Sequence, residues 1–137
     1  LAFDGRISEN FKLASGTFVT VGEVRVKAVS AVGDGVTDAV VCGEGQAALG
    51  LMIYPDPRRS RAEVEDAVRA GLAAHNARAK GGARIARALV LPDPPDGASG
   101  EITDKGYIAQ SLARTCRADA LARLFADPPP PDVMVFD

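Results

Sequence analysis

Val36-Thr37-Asp38-Ala39-Val40-Val41-Cys42, then Gly43-Glu44-Gly45-Gln46, then Ala48-Leu49-Gly50-Leu51-Met52-Ile53-Tyr54 read as two β-strands joined by a glycine-rich turn. Both strands are nearly continuous apolar runs, a pattern expected when both faces of a sheet are covered. The turn opens no helix, which favours a hairpin turn over a phosphate loop. After Pro55-Asp56-Pro57 comes the clearest helix: Ser60 and Glu63 have capping-box spacing, and Val64, Val68, Gly71, Leu72 and His75 fall on one stripe. Gly81-Gly82 is expected to stop it, and residues 84–91 read as a third strand with Ile85, Leu89 and Leu91 on one face.

Upstream, residues 7–20 suggest a hairpin, with Phe11 and Leu13 before Ser15-Gly16 and Phe18 and Val19 after it. Thr20 and Glu23 form a second capping-box pattern, and Val21, Val24, Ala28 and Ala31 predict a helix to about residue 31, ended by Gly33-Asp34-Gly35. Downstream, Pro92 to Gly100 is a loop. A last helical region is expected over about 107–126, with Ile108, Leu112 and Cys116 apolar, before four prolines at 128–131. The tail Val133-Met134-Val135-Phe136 either docks as a short strand or frays. The expected fold is α+β: a small three-stranded sheet covered by helices and preceded by a β-hairpin.

At 137 residues, with 47% hydrophobic and 25% charged residues, the chain fits one compact domain. A net charge of −2 supplies no field to recruit nucleic acid or an acidic membrane. No apolar run reaches the roughly 18 residues of a membrane span, and no secretory signal is seen, so a cytoplasmic location is expected. Cys42 and Cys116 lie too far apart for a local metal motif and read as free thiols, with a disulfide as the alternative. No metal site is expected. The single histidine, His75, sits on an apolar stripe, where a hydrogen-bonded core histidine outweighs a catalytic base. Arg58, Arg59 and Arg61 read as a solvated cluster more readily than as a phosphate site. Leu1 in place of Met, and Phe3-Asp4-Gly5-Arg6, read as the middle of a longer chain.

Lys105 is the most informative residue for chemistry. If Asp104 caps the last helix, Lys105 lies in its first turn, where a cation opposes the helix dipole at a cost of about 0.3–1 kcal/mol. An anionic ligand would reverse that conflict; a solvated lysine beside Asp104 is the plainer alternative.

Gly100-Glu101-Ile102-Thr103-Asp104-Lys105-Gly106-Tyr107-Ile108-Ala109-Gln110 resembles the closing motif of the adenylate-forming superfamily, which includes acyl-CoA synthetases, peptide-synthetase adenylation domains and luciferases. Asp104 stands where the superfamily has Gly, and the usual following Arg is absent; the wording is instead similar to feruloyl-CoA synthetases. Asp4-Gly5-Arg6-Ile7-Ser8-Glu9-Asn10-Phe11-Lys12-Leu13-Ala14-Ser15-Gly16-Thr17-Phe18-Val19 resembles the hinge motif of the same superfamily, with Glu23 at the acidic helix start. The resemblance implies a C-terminal lid domain of an acid–CoA ligase acting on an aryl-propenoic acid such as ferulate. It implies ATP, with Mg2+ bound mainly by an N-terminal adenylation domain in cis, and CoA as second substrate. Residues 1–10 would be the hinge segment, 11–127 the lid and 128–137 a Pro-rich tail. Lys105 would be the adenylation lysine, Arg6 a nucleotide contact, Ser8 or Glu9 the pivot, and Ser15, Gly16 and Thr17 the lining of the CoA channel. The competing reading is a free-standing acyl- or nucleotide-binding module without ligase activity.

Overall fold

The computed structural model describes residues 10–79, 83–92 and 108–136. Strands β1 (Phe11–Lys12) and β2 (Phe18–Val19) pair antiparallel as the expected hairpin. Helix α1 (Val21–Val32) follows and stops at Gly33, whose positive φ of 78° suits a residue without Cβ. Next come β3 (Val36–Cys42), β4 (Leu49–Pro55), α2 (Arg61–Arg78) and β5 (Ile85–Val90), then α3 (Gln110–Cys116), α4 (Ala118–Leu124) and β6 (Val133–Val135).

The main sheet has four strands in the order β3-β4-β5-β6, one more than expected, because Val133–Val135 docks on β5 antiparallel. Strands β3 and β4 are antiparallel, while β4 and β5 run parallel with α2 as the crossover between them.

Side chains alternate across the sheet and build two cores. Ala39, Val41, Leu49, Leu51, Ile53, Ala88 and Val90 face α1 and α2, which contribute Val21, Val24, Ala28, Val64, Val68 and Leu72. Val40, Cys42, Met52, Tyr54, Leu89 and Leu91 meet Ile108, Ala113 and Leu124 on the other face. Both faces of the central strands are therefore covered, as their unbroken apolar runs require.

Three expectations of detail fail, each for a local reason. Ile85 does not share a face with Leu89 and Leu91, because the register slips between Leu49–Ile85 and Gly50–Arg87. One extra residue on β5 inverts its alternation. Thr20 does not cap α1 through its side chain; instead Asn10 Oδ1 accepts from the Val21 amide at 2.9 Å, so the cap comes from before the hairpin. The last helical region starts at Gln110, with Ala109 as N-cap, and breaks at Arg117 (φ −107°). Thr115 and Cys116 are weak helix formers, and the Arg117 guanidinium lies 5.6 Å from the Tyr54 ring centroid. The capping box at Ser60 and Glu63 forms in full, with both reciprocal hydrogen bonds present. Its helix ends at Arg78, and the expected Gly81-Gly82 stop lies outside the described residues.

Candidate functional site

Ser15, Gly16 and Thr17 come together as the exposed tip of the β1–β2 hairpin. Leu13 N donates to Thr17 O (2.9 Å) and Gly16 N to Leu13 O (2.9 Å), closing the turn. The Ser15 and Thr17 hydroxyls lie 2.8 Å apart. Gly16 has φ +85°, and a Cβ built on it would meet nothing within 4 Å. Positive φ makes glycine the natural residue there, and the open space leaves its backbone approachable from solvent.

The hairpin is not a loose arm. Ala14 N donates to Gln46 O (2.8 Å) and Gly45 N to Lys12 O (3.0 Å), stapling it to the β3–β4 turn. Beneath it, the Arg114 guanidinium of α3 stands 5.2 Å from the centroid of the Phe11 ring. A groove of about 790 Å³ runs beside this junction, lined by Gly43, Glu44, Gln46, Arg114, Ala118 and Phe125 among others.

The second feature is the outer edge of β3, which has no neighbouring strand among the described residues. The outward-facing backbone groups of Ala39 and Val41 all find side-chain partners. Ala39 N donates to Asp38 Oδ1 (2.8 Å), and Gln110 Nε2 donates to Ala39 O (2.9 Å). Val41 N donates to Gln110 Oε1 (2.8 Å), and Arg114 donates to Val41 O (3.0 Å). Asp38 is in turn gripped from α1 by Arg25, with hydrogen bonds of 2.7 and 2.8 Å. Unpaired edges invite unwanted strand addition, and side chains close this one.

Gln110, 2% exposed, was not singled out by its residue type. Of the apolar residues noted in this region Ile108 is buried, along with Gln110 and Ala113, while Leu112 is 50% exposed and Cys116 is exposed. The buried glutamine amide has both of its polar atoms paired with backbone groups of β3, as buried polar groups require. Lys105, Arg6, Ser8 and Glu9 lie outside the described residues. The helix α3 begins at Gln110, with Ala109 as its N-cap; the expected cap at Asp104 also lies outside the described residues.

The remaining polar groups have structural partners. His75 is buried, its Nε2 lying 2.7 Å from Ala83 O, in keeping with a core histidine. Asn76 uses both amide atoms on the Ile85 backbone, at 2.7 and 2.8 Å, beside the β5 slip. Arg58 engages Asp56 through its amide and guanidinium, holding that carboxyl below its usual range. Arg59 lies within salt-bridge distance of Asp34 and Glu63, and Arg61 pairs with Glu65, so the arginine cluster faces carboxylates of its own chain. The two cysteines are unbridged; burial pushes the Cys42 thiol up to about 12, outside the range in which thiolates react. Among the described residues no three His, Cys, Asp or Glu side chains cluster as metal ligands. No helix among them is long and apolar enough to cross a membrane.

A hairpin whose backbone is open at its tip, mounted on a mixed sheet with helices on both faces, is the architecture of a known enzyme module. The chain matches the family described as AMP-binding enzyme C-terminal domain over residues 24–127, and it belongs to that family. It is thus a domain of the adenylate-forming superfamily.

Solved structures share the fold. The A-PCP didomain of carboxylic acid reductase from Segniliparus rugosus, in complex with AMP, superposes with TM-score 0.71 at 17% identity, covering 87% of this chain and 17% of that one. The adenylation domain of a carboxylate reductase from Mycobacterium chelonae gives 0.72 at 21% identity, covering 89% and 20%. The A domain of the Segniliparus rugosus enzyme, in complex with AMP and a co-purified carboxylic acid, gives 0.67 at 16%, covering 90% and 20%. The chain therefore spans about a fifth of the length of those structures. No curated protein matches it.

Proposed function

We propose that this domain is the lid of an ATP-dependent acid–thiol ligase, carrying Lys105 as the adenylation lysine and the Ser15-Gly16-Thr17 tip as its thiol-facing element. The observation that carries the reading is the family match over 24–127 combined with Glu101-Ile102-Thr103-Asp104-Lys105-Gly106-Tyr107 at the motif position. In the first half-reaction a substrate carboxylate oxygen attacks the α-phosphorus of ATP and pyrophosphate leaves. In the second, a thiol attacks the acyl carbonyl of the adenylate, AMP leaves with the bonding pair, and the thiol proton goes to solvent.

Two anions must meet in the first step. Lys105 bridges carboxylate and α-phosphate there, which lowers their repulsion and positions them in a water-poor cleft. A compact ammonium on a long stem suits a group that must arrive and withdraw. In the second step the domain turns about residues 1–10, with Ser8 or Glu9 as pivot and Arg6 on the nucleotide, and presents the hairpin tip. Gly16 fits this task, because an exposed backbone without Cβ lets a narrow thiol arm pass close. Residues 11–127 form the lid and 128–137 its tail. Mg2+ would be held by an adenylation domain in cis.

Free CoA is the thiol acceptor by resemblance to feruloyl-CoA synthetases, with an aryl-propenoic acid such as ferulate as substrate. A second reading, favoured by the A-PCP didomain among the structures of like fold, makes the acceptor a phosphopantetheine arm on a carrier domain.

The test uses the full chain with its adenylation domain. Lys105→Ala should slow carboxylate-dependent ATP–pyrophosphate exchange by about 100-fold or more, while thioester formation from supplied acyl-adenylate largely survives. Gly16→Val should do the reverse. Equal loss of both half-reactions in Lys105→Ala would remove the lysine from catalysis. Thioester formation on CoA compared with a pantetheinylated carrier separates the two acceptors.

A further inference from the structure

We propose that the β3–β4 turn, Gly43-Glu44-Gly45-Gln46, is the seat that positions the Ser15-Gly16-Thr17 tip for the thioester half-reaction, with Gly45 as its positioning residue. The inference rests on the thiol-facing reading of that tip given above. The turn joins two strands and opens no helix, so its glycines serve backbone geometry rather than a phosphate. Gly45 has φ +73°, and in that conformation its amide donates out of the turn, to Lys12 O of β1 at 3.0 Å. One residue on, Gln46 O accepts from Ala14 N at 2.8 Å.

The hairpin needs such a seat at its outer end. Its ladder has two residue pairs, Phe11 with Val19 and Lys12 with Phe18, and a short hairpin by itself is marginal in water. Phe11, Leu13 and Val19 are buried and hold its base on the core, with Arg114 over the Phe11 ring. Ala14 through Phe18 are exposed, so apolar burial does not fix the tip. Ala14, the residue just before the tip, is where the turn takes hold. The turn is itself firmly carried. Gln46 N donates to Gly43 O at 2.8 Å, and directly below it Cys42 pairs with Gly50 across the two central strands. A seat on the end of the sheet gives the tip a fixed position, and misplacement of reacting groups lowers rates strongly.

Gly45 offers a graded probe. A Cβ built there meets nothing within 4 Å, so a side chain is resisted by backbone conformation and not by lack of space. Asn tolerates positive φ, whereas a β-branched residue there is an outlier. Proline is locked at about −65° and has no amide hydrogen to donate. Asn, Val and Pro therefore damage the seat in increasing order.

The experiment is run on the full chain with its adenylation domain, with Gly45→Asn, Gly45→Val, Gly45→Pro and Gly16→Val assayed side by side. Gly45→Pro is expected to lower thioester formation from supplied acyl-adenylate about tenfold, Gly45→Val about threefold, and Gly45→Asn by no more than about twofold. ATP–pyrophosphate exchange should stay within about twofold of the parent in all three. Amide exchange at Ala14 should accelerate in Gly45→Val while amides of α2 keep their protection. If Gly16→Val blocks thioester formation while Gly45→Val and Gly45→Pro leave it intact, the seat is overturned and the thiol-facing reading stands. Equal loss of both half-reactions in Gly45→Val makes the turn a fold element and also overturns the proposal. A loss in Gly45→Asn as large as in Gly45→Val would show that open space matters rather than backbone conformation, and overturns it too. If Gly16→Val spares thioester formation, the thiol-facing reading fails first and the seat falls with it.

Discussion

The two faces of the main sheet are held by different proportions of apolar packing and directed hydrogen bonds. On one face α1 and α2 are long helices with apolar stripes, and their contact is set by close backbone approach at Gly71. On the other, α3 and α4 are seven residues each, and α3 is tied to the sheet by the side chains of Gln110 and Arg114 as much as by apolar contact. The first face is a scaffold, while the second, through Arg114 of α3, meets Phe11 of the hairpin. Apolar packing tolerates small changes of position; directed hydrogen bonds to a strand edge fix one.

The largest expected effect breaks the scaffold face. A Cβ on Gly71 would lie 2.5 Å from Val32 Cα and 2.7 Å from Ala31 O, both backbone atoms that cannot rotate away. Gly71→Ala gains about 1 kcal/mol of helix propensity, yet forcing α1 and α2 apart costs more than that. A net loss of about 2 kcal/mol or more, read as a fall in Tm of roughly 7 °C, is expected in a thermal melt. Unchanged or raised stability would show that the helices separate freely.

A smaller effect is expected on the tied face. Arg114→Ala strips the donor from the buried Val41 carbonyl and the cation from the Phe11 ring, a loss of about 1–2 kcal/mol. Its distinguishing mark is local. Amide exchange at Ala14 and Gly45, the hairpin staples, should accelerate while amides of α2 keep their protection. Uniform acceleration through both faces would dissolve the distinction between them.

This contrast also explains which features were legible in the sequence. Apolar periodicity and capping spacing marked α1, α2, β3 and β4, because burial of a stripe and satisfaction of a helix end are local demands. The box at Ser60 and Glu63 formed, but the same spacing at Thr20 and Glu23 did not, since Asn10 reached the Val21 amide first. The Ile85 face was inverted by a register slip that only pairing with β4 reveals. Gln110 was invisible for the same reason: its value lies in two backbone groups some seventy residues earlier. The hairpin tip was readable because Ser15-Gly16 is turn chemistry. The reading of Lys105 came chiefly through resemblance, and α3 begins at Gln110, five residues after it.

The smallest effect sharpens the comparison at the start of α2, where the scaffold face does use directed bonds. Ser60→Ala should cost about 1 kcal/mol, with no change in exchange at the hairpin. The reciprocal half of the box adds a pH signature. The Ser60 amide donates to Glu63, holding that carboxyl below its ordinary range. A group whose native value is depressed contributes stability above its unfolded value, about 4.3 for Glu, and loses it as pH falls through the lower native value. The stability difference between the parent chain and Glu63→Ala, followed by denaturant titration, should therefore be full at neutral pH and shrink below about pH 4. A difference that persisted undiminished under acid would mean that Glu63 acts through packing of its stem rather than through the capping hydrogen bond.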